Sequence, residues 1–341
     1  MWKYIVRRLA LGALTVLVIT FVIYGFLWLL PEKPYAALIN RPNQPLSAKL
    51  AIIHRFGADQ PFFIQYWTFL KNVLRPLWTW WGFPPHSPQP PDLGESIPLH
   101  SQVFDAIRVR MPATAELMTT SYLLTLMIAV PVGIISAVKQ YSKLDNTVTS
   151  LSFLGISLPN YWFGSILIYL LAVLPFQHLG YEIFPASGQH TGQQTGLPDL
   201  AWHLVLPVIV LAVQSIAGYA RFIRSSMLET LNQDYVRTAR AKGLANRRVV
   251  IRHAFRNSLL PFITLLGLDI PTLFVGAVVT EFVFSWPGMG QLFVIAADGN
   301  DYSVLLGILI ILSVMVVIFN LLADIAYTWA DPRISYERGR G

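Results

Sequence analysis

The 341-residue sequence contains no cysteine, which excludes disulfides and thiolate metal sites. Charge is scarce: Asp, Glu, Lys and Arg make up 13% of the chain, against roughly 25% in an ordinary soluble domain. No G-x-x-x-x-G-K-[S/T] motif occurs, nor any Gly-Lys pair. The chain therefore has no phosphate-cradling loop and is not an ATPase by itself. The G-x-S-x-G and H-E-x-x-H signatures of common hydrolases are missing as well. The seven histidines are scattered; His178 and His190 are the nearest approach to a metal pair, and no metal ligand set is assigned.

What is present is hydrophobic. Apolar residues make up 54% of the chain, with a mean hydropathy of +0.52. Several uncharged runs reach the roughly 20 residues that a helix needs to cross a hydrocarbon core of about 30 Å. The expected spans are Leu9–Leu30, Leu117–Val138, Thr147–Leu174, Ala201–Ala220, Leu259–Thr280 and Tyr302–Ala323. The first follows Lys3, Arg7 and Arg8 like a signal peptide. It is too long for an h-region of about 7 to 15 residues and lacks a small-residue cleavage site, so it is read as an uncleaved anchor.

Positive charge sets the expected orientation. Lys139 and Lys143 follow the second span, nine Lys and Arg lie between Arg221 and Arg256, and Arg333, Arg338 and Arg340 mark the tail. The short stretches Pro175–Leu200 and Val283–Asp301 contain none. The positive-inside rule then places both termini and the basic segment in the cytoplasm. Residues 31–112 carry eight Lys and Arg yet lie outside on this reading, as loops longer than about 60 residues translocate largely regardless of charge.

In the outer stretch, Phe63, Tyr66, Trp67, Leu70 and Leu74 recur at helical spacing and predict one apolar face. The Pro-rich tract after it breaks regular structure. Its Trp78, Trp80 and Trp81 suit either the membrane interface or an external partner. Within the third span, Gly155, Pro159, Asn160 and Gly164 suggest bending or close backbone approach. In the fifth span Asp269, Thr272, Gly276 and Thr280 share one helical face. A carboxylate within a membrane usually faces the bundle interior or a water-filled path, so this face is assigned to translocation, with helix packing as the alternative. Glu116 and Glu281 read as span boundaries near the outer surface, Asp324 as a cap or a partner of the basic face, and "FSWPGMG" as a tight turn with Pro287 at its first central position and Gly288 at the positive-φ position after it.

The segment "DYVRTARAKGLANRRVVIRHAFRNSLLP", residues 234–261, holds seven Lys and Arg. Leu228, Leu231, Tyr235 and Ala239 predict an apolar row, Gly243 a left-handed helix end, and Asn246 the cap of a second short helix with Val250, Ile251, Ala254 and Phe255 on its apolar side. Three roles compete. The charges fix topology against anionic lipid headgroups, bind nucleic acid, or dock a soluble protein. Tethering to the membrane at both ends excludes access to a DNA groove, so no nucleic-acid partner is expected.

"YVRTARAKGL" followed by "RHAFRNSLLP" resembles the coupling loop of ABC-transporter permeases of the binding-protein-dependent importers, in the dipeptide and oligopeptide form. "GADQPFFIQYW", "RMPATAEL", "HLVLPVIVLA", "GAVVTEFVFSWPGMGQL", "DYSVLLG" and "NLLADIAYTWADPRI" are similar to that family's patterns in their usual order. The resemblance implies an all-α polytopic membrane protein of six transmembrane helices, with type I ABC importer permease architecture and a long external segment between helices 1 and 2. Residues 1–30 would be the cytoplasmic N-terminus and anchor helix, 31–112 the external segment, 113–329 a five-helix core containing the loop 221–258, and 330–341 a cytoplasmic tail.

The same resemblance implies a non-catalytic subunit in a prokaryotic inner membrane. Its partners would be a second homologous permease in a heterodimer, two cytoplasmic ABC ATPases that bind ATP and Mg, an external substrate-binding protein, membrane lipid and a peptide substrate. Ala239, Arg240, Lys242, Gly243 and Leu244 would form the ATPase contact. Arg237, Thr238 and Ala239 stand where the general loop has Glu-Ala-Ala, which removes any salt bridge assigned to that Glu, and Trp78–Pro91 resembles an insertion. Nickel-chelate or other small-solute importers are alternatives. So is a secondary transporter driven by an ion gradient, which would be expected to show interrupted repeats or paired charges in the membrane.

Overall fold

The computed structural model describes residues 2–30, 39, 45–55, 57–76, 90–192 and 196–330. Inside the helices, the side chains of 2–5, 55, 260, 264, 268, 270–273, 275, 276 and 326–330 lie outside the description. The Trp78, Trp80 and Trp81 tract also falls outside it.

The described chain is almost entirely helical: α1 (Trp2–Leu29), α2 (Leu46–Arg55), α3 (Phe62–Val73), α4 (Val103–Val138), α5 (Lys143–Ser157), α6 (Asn160–Ile168), α7 (Leu174–Leu179), α8 (Leu197–Leu231), α9 (Asp234–Ala241), α10 (Asn246–Arg248), α11 (Arg256–Val283), α12 (Met289–Asp298) and α13 (Tyr302–Ala330). One antiparallel pair, β1 (Glu95–Ser96) with β2 (Ser101–Gln102), precedes α4. Single π-helical segments, Tyr169–Val173 and Val249–Phe255, join α6 to α7 and α10 to α11. A membrane-crossing chain must satisfy its backbone groups internally, and helices do so within one segment.

Among the described residues, five helices are long and apolar enough to cross a membrane: Val6–Leu29, Val103–Val138, Asn160–Leu179, Leu197–Leu231 and Tyr302–Ile325. The expected fifth span, Leu259–Thr280, lies in the 28-residue α11. The third span differs from expectation. Instead of one helix over Thr147–Leu174, α5 stops at Ser157 and α6 starts at Asn160, with Leu158 and Pro159 extended at ψ 120° and 132°. Proline disfavours helical backbone in the residue before it, and that breaks the run. Gly155 and Gly164 serve close packing, against Ala217 and Val213 and against Phe284 and Val283.

The chain forms two compact units. One comprises Trp2–Pro112 and Leu292–Val317. In it Tyr66 of α3 joins α1 through Thr20, hydroxyl to hydroxyl at 3.0 Å, and donates to the Leu17 carbonyl at 3.1 Å. Phe21 meets Phe62 and Tyr66 edge-on at 5.5 and 5.2 Å. The packed face of α3 is therefore Phe62, Tyr66 and Phe69. Phe63, Trp67 and Leu74 of the expected apolar face are exposed. Ser96 of β1 donates at 2.5 Å to Asp301, which also accepts from the Val304 amide at the start of α13.

The other unit is built on Ala113–Gln291 and continues from Ile318. Its inner core joins α4, α8 and α11 through Ala129, Tyr219, Ile223, Met227 and Phe262. A second cluster, with Leu117, Val208, Leu211, Ala277 and Trp286, closes on one residue. Glu281 was expected at an exposed span boundary; it is 0% exposed. Its carboxylate accepts from the Thr114 hydroxyl at 2.7 Å, the Gly290 amide at 2.6 Å and the Gln291 amide at 3.1 Å. Thr114 in turn accepts from the Met289 amide at 2.8 Å, and Trp286 donates from Nε1 to the Ala113 carbonyl at 2.8 Å. Glu116 is the more accessible of the two acids and accepts from Gln189 at 2.7 Å.

The turn itself also departs from expectation. The left-handed residue is Ser285, with φ 48°, and Gly288 has no positive φ. Gly288 is needed for space, because a Cβ there would lie 2.3 to 2.4 Å from the Glu281 carboxylate. Gly288→Ala is thus expected to lower the thermal stability of the detergent-solubilised protein by roughly 1–3 kcal/mol, the usual penalty of overpacking. A melting temperature unchanged from wild type would refute this account of the turn.

Candidate coupling loop and translocation face

Between α8 and α11 the chain folds back on itself. Asn232 and Gln233 interrupt the helix, and α9 starts afresh at Asp234. The apolar row expected to continue from Leu228 and Leu231 through Tyr235 therefore shifts by one residue. Val236 and Ala239 are buried with Val249, backed by Leu231 and Leu244, whereas Tyr235 is exposed.

Gly243 ends α9 at φ 74°. Its amide donates to the Arg240 carbonyl at 3.0 Å, and the Leu244 amide reaches the Ala239 carbonyl at 3.4 Å. This paired pattern is a Schellman motif, with the contact of Leu244 on Ala239 as its apolar accompaniment. All five residues expected to contact an ATPase thus fall in one turn, in two roles. Ala239 and Leu244 face inward and hold the turn together; Arg240, Lys242 and Gly243 are exposed. The outer face is completed by Tyr235, Arg237 and Thr238, with Arg237 3.7 Å from Asp234.

The second helix of the loop is not a separate unit. α10 is three residues long with Ala245 at its cap, so Asn246 lies inside the helix and makes no side-chain cap. It passes through the π-helical Val249–Phe255 straight into α11. The wider π winding buries Val249, Val250 and Ala254 and leaves Ile251 exposed, contrary to the α-helical reading.

A charged clamp not foreseen from sequence ties α8 to its neighbours. Arg224 donates to Asp145 through Nε at 2.6 Å and Nη2 at 2.7 Å, a bidentate pair. The Ser136 hydroxyl near the end of α4 and the Tyr141 amide, at 2.9 Å, also donate to this carboxylate, while the Asp145 amide donates to the Ser142 hydroxyl at 3.2 Å. The Arg224 hydrogen bonds, helped by Ser136 and Tyr141, hold the Asp145 carboxyl well below the usual carboxylate range despite its burial. The sequence clue was the Ser142-to-Asp145 spacing of a helix start. The distant Arg224 left no such signal.

On the face assigned to translocation, Asp269 is half-buried midway along α11. The Tyr219 hydroxyl of α8 hydrogen-bonds it. Thr280 is 1% exposed, beside the Glu281 clamp, and the side chains of Thr272 and Gly276 lie outside the described residues. An aspartate at the centre of a membrane helix costs about 2.5–3.5 kcal/mol on insertion scales. Elsewhere, His190 binds Asp199 through Nδ1 at 2.9 Å.

Residues 129–336 match the family model described as the binding-protein-dependent transport system inner membrane component, and residues 1–118 match that of its N-terminal part. The chain belongs to this family. Permeases of the family are non-catalytic membrane subunits. It is 40% identical to the oligopeptide transport system permease protein AppB of Bacillus subtilis, over 98% of this chain and 100% of that protein. It is 35% identical to the di/tripeptide transport system permease protein DppB of Pseudomonas aeruginosa, over 99% and 100%. The dipeptide transport system permease protein DppB of Escherichia coli K12 is 32% identical with the same coverage. Among solved structures, the inward-facing MetNI methionine ABC transporter matches with a TM-score of 0.54 at 16% identity, over 69% of this chain and 99% of that one. The fold is that of a type I importer permease.

The Asp145 clamp of this permease gives a pH dependence with a definite sign. A carboxyl held below its unfolded value of about 3.9 adds stability above that pH, and the contribution is lost as pH falls through the folded value. Arg224→Ala is expected to destabilise the protein by roughly 3 kcal/mol at pH 7, as it leaves a buried carboxylate unpaired. Asp145→Asn should flatten the loss of stability below about pH 4. Thermal unfolding of the three proteins between pH 3 and 7 tests both.

Proposed function

We propose that this permease is one half of the translocation path of an ATP-driven importer that carries di- or oligopeptides. Four elements of the chain bear on this: its helical membrane fold, the family match over the greater part of its length, the names of its relatives, and the Schellman-capped turn. The turn carries the mechanism. It presents Arg240, Lys242 and Gly243 outward on a short helix whose inner face is fixed by Val236, Ala239 and Val249.

A second permease forms the other half of the path, two ATPases that bind ATP and Mg dock on the turn, and an external binding protein delivers the peptide. The protein lies in a prokaryotic inner membrane with both termini cytoplasmic. The clustering of Lys and Arg at residues 221–256, against none in 175–200 and 283–301, supports that orientation. Residues 31–112 then form the external segment and 113–329 the permease core. ATP binding draws the ATPases together and moves the turn with them, and α8 and α11 carry the motion into the face around Asp269. Such movement transmits energy only if the turn's contacts discriminate the two states.

Gly243→Pro tests the joint. Proline is locked near φ −65° and has no amide hydrogen, so it neither adopts +74° nor donates to Arg240. In proteoliposomes holding the whole importer, the variant should insert and let the ATPases hydrolyse ATP while uptake is lost. Normal uptake would remove the turn from the coupling path. Wild-type uptake that survives without ATP but collapses with the proton gradient would identify a secondary transporter instead.

A further inference from the structure

The side chains of α3 fall on three faces with different surroundings. Phe62, Tyr66 and Phe69 pack on α1, where Phe62 lies 5.5 Å from Trp28 and Phe69 5.1 Å from Tyr24 between ring centroids. Gln65, Thr68 and Asn72 line a cavity of about 860 Å³ together with Asp92 and Tyr302. Phe63 and Trp67, with Leu74 at the helix end, form the third face and are 73%, 56% and 37% exposed. At about 100° per residue that face adjoins the one on α1 and turns away from the cavity. Large apolar side chains grouped in this way mark a surface that something other than water covers.

The contacts with α1 fix how deep this helix lies. Residues 9–29 of α1 carry no charge and extend for about 31 Å, the thickness of one hydrocarbon core. The Tyr66 hydroxyl meets Thr20 at 3.0 Å and the Leu17 carbonyl at 3.1 Å. These residues lie about 14 and 18 Å along the axis from Leu29, near the middle of that core. A tyrosine side chain spans less than half of either distance, so α3 itself lies below the level of Leu29, inside the bilayer. With 12 residues it is too short to cross, which confines it to one leaflet. α1 exposes its own Val18, Val22 and Phe26 to the same medium. Lys71 fits this setting: its ammonium sits 5.5 Å from the centre of the Trp67 ring, and its long stem lets the charge reach the headgroups while the ring stays among the chains.

We propose that α3 is a lipid-embedded helix, with Phe63, Trp67 and Leu74 among the acyl chains of one leaflet and Gln65, Thr68 and Asn72 facing the cavity. Apolar area buried in the leaflet holds it there, and the Tyr66 hydrogen bonds lock it to α1. The helix thereby separates lipid from a polar cavity and anchors the segment that follows α1 to the membrane. On the orientation proposed above the leaflet is the outer one. The inference needs α1 to span the membrane and does not depend on what the importer carries.

Because the chain has no cysteine, single spin labels test each face. The complete importer carrying Phe63→Cys, Trp67→Cys, Thr68→Cys or Val22→Cys is labelled with a nitroxide in nanodiscs of phosphatidylethanolamine and phosphatidylglycerol. Collisions with oxygen, which concentrates in lipid, are compared with those of a nickel chelate, which stays in water. The oxygen-to-nickel ratio at positions 63 and 67 should match that at 22 on α1 and exceed that at 68 several-fold. Phe63→Asp should lower the ratio at 67 several-fold, since a carboxylate is costly in hydrocarbon. Ratios at 63 and 67 no higher than at 68 place α3 in water and overturn the proposal. Labels at 63 and 67 that neither reagent reaches place another protein on that face and overturn it equally. A low ratio at 22 removes α1 as a span, and the proposal with it.

Discussion

The packing around α11 turns on one buried carboxylate. Glu281 sits two residues before the end of α11 with no exposed surface, and it is satisfied by a hydroxyl and two backbone amides. A charge-capable group with no access to water is tolerable only when its acceptor positions are filled. That requirement fixes the geometry around it. Thr114 must come from α4, the amides of Gly290 and Gln291 must turn back over the helix end, and Gly288 must have no side chain. Trp286 then fills the space against Leu117, Val208 and Ala277 and spends its indole hydrogen on the Ala113 carbonyl. A short tight turn, which sequence presents as a connector, is thus the fastening between two membrane helices.

The Asp145 and Arg224 pair does comparable work for α4, α5 and α8. Together the two sites show how a membrane bundle is positioned where lipid offers no hydrophobic reward for bringing helices together. Small residues at Gly155 and Gly164 set the distances, and a few saturated polar sites set the register. Against that frame α9 and its turn form a small cluster of their own, seated on the start of the π segment that runs into α11. Its buried core is three residues, Val236, Ala239 and Val249, and its charges point outward. A compact, self-capped element with a polar outer face is suited to moving as a body.

Much of the architecture was legible. The apolar runs give the helices in order, except that Pro159 divides the expected third span, and the left-handed glycine of the loop stands where the sequence puts it, at Gly243. The errors have physical causes. Tyr235 lies inward only on a helical frame that runs unbroken across Asn232 and Gln233, where the backbone resets. Ile251 lies inward on an α-helical period, whereas the segment winds as a π-helix. A carboxylate near a span end ordinarily lies at the surface, and for Glu281 a partner 167 residues away in sequence, Thr114, helps to make burial possible.

Periodicity, charge asymmetry and glycine placement are local properties, and each is decided by neighbours within a few positions. For that reason the sequence alone determined the membrane class, the order of the spans and the existence of a capped turn between the fourth and fifth of them. Whether a polar group is buried depends on what distant chain brings to it. The tertiary structure alone therefore decided that Gly288 serves space and not conformation, that Ala239 holds the coupling turn from inside, and that Asp145 meets Arg224. It also brought Tyr219 of α8 to Asp269 of α11, a meeting that no spacing along the chain encodes.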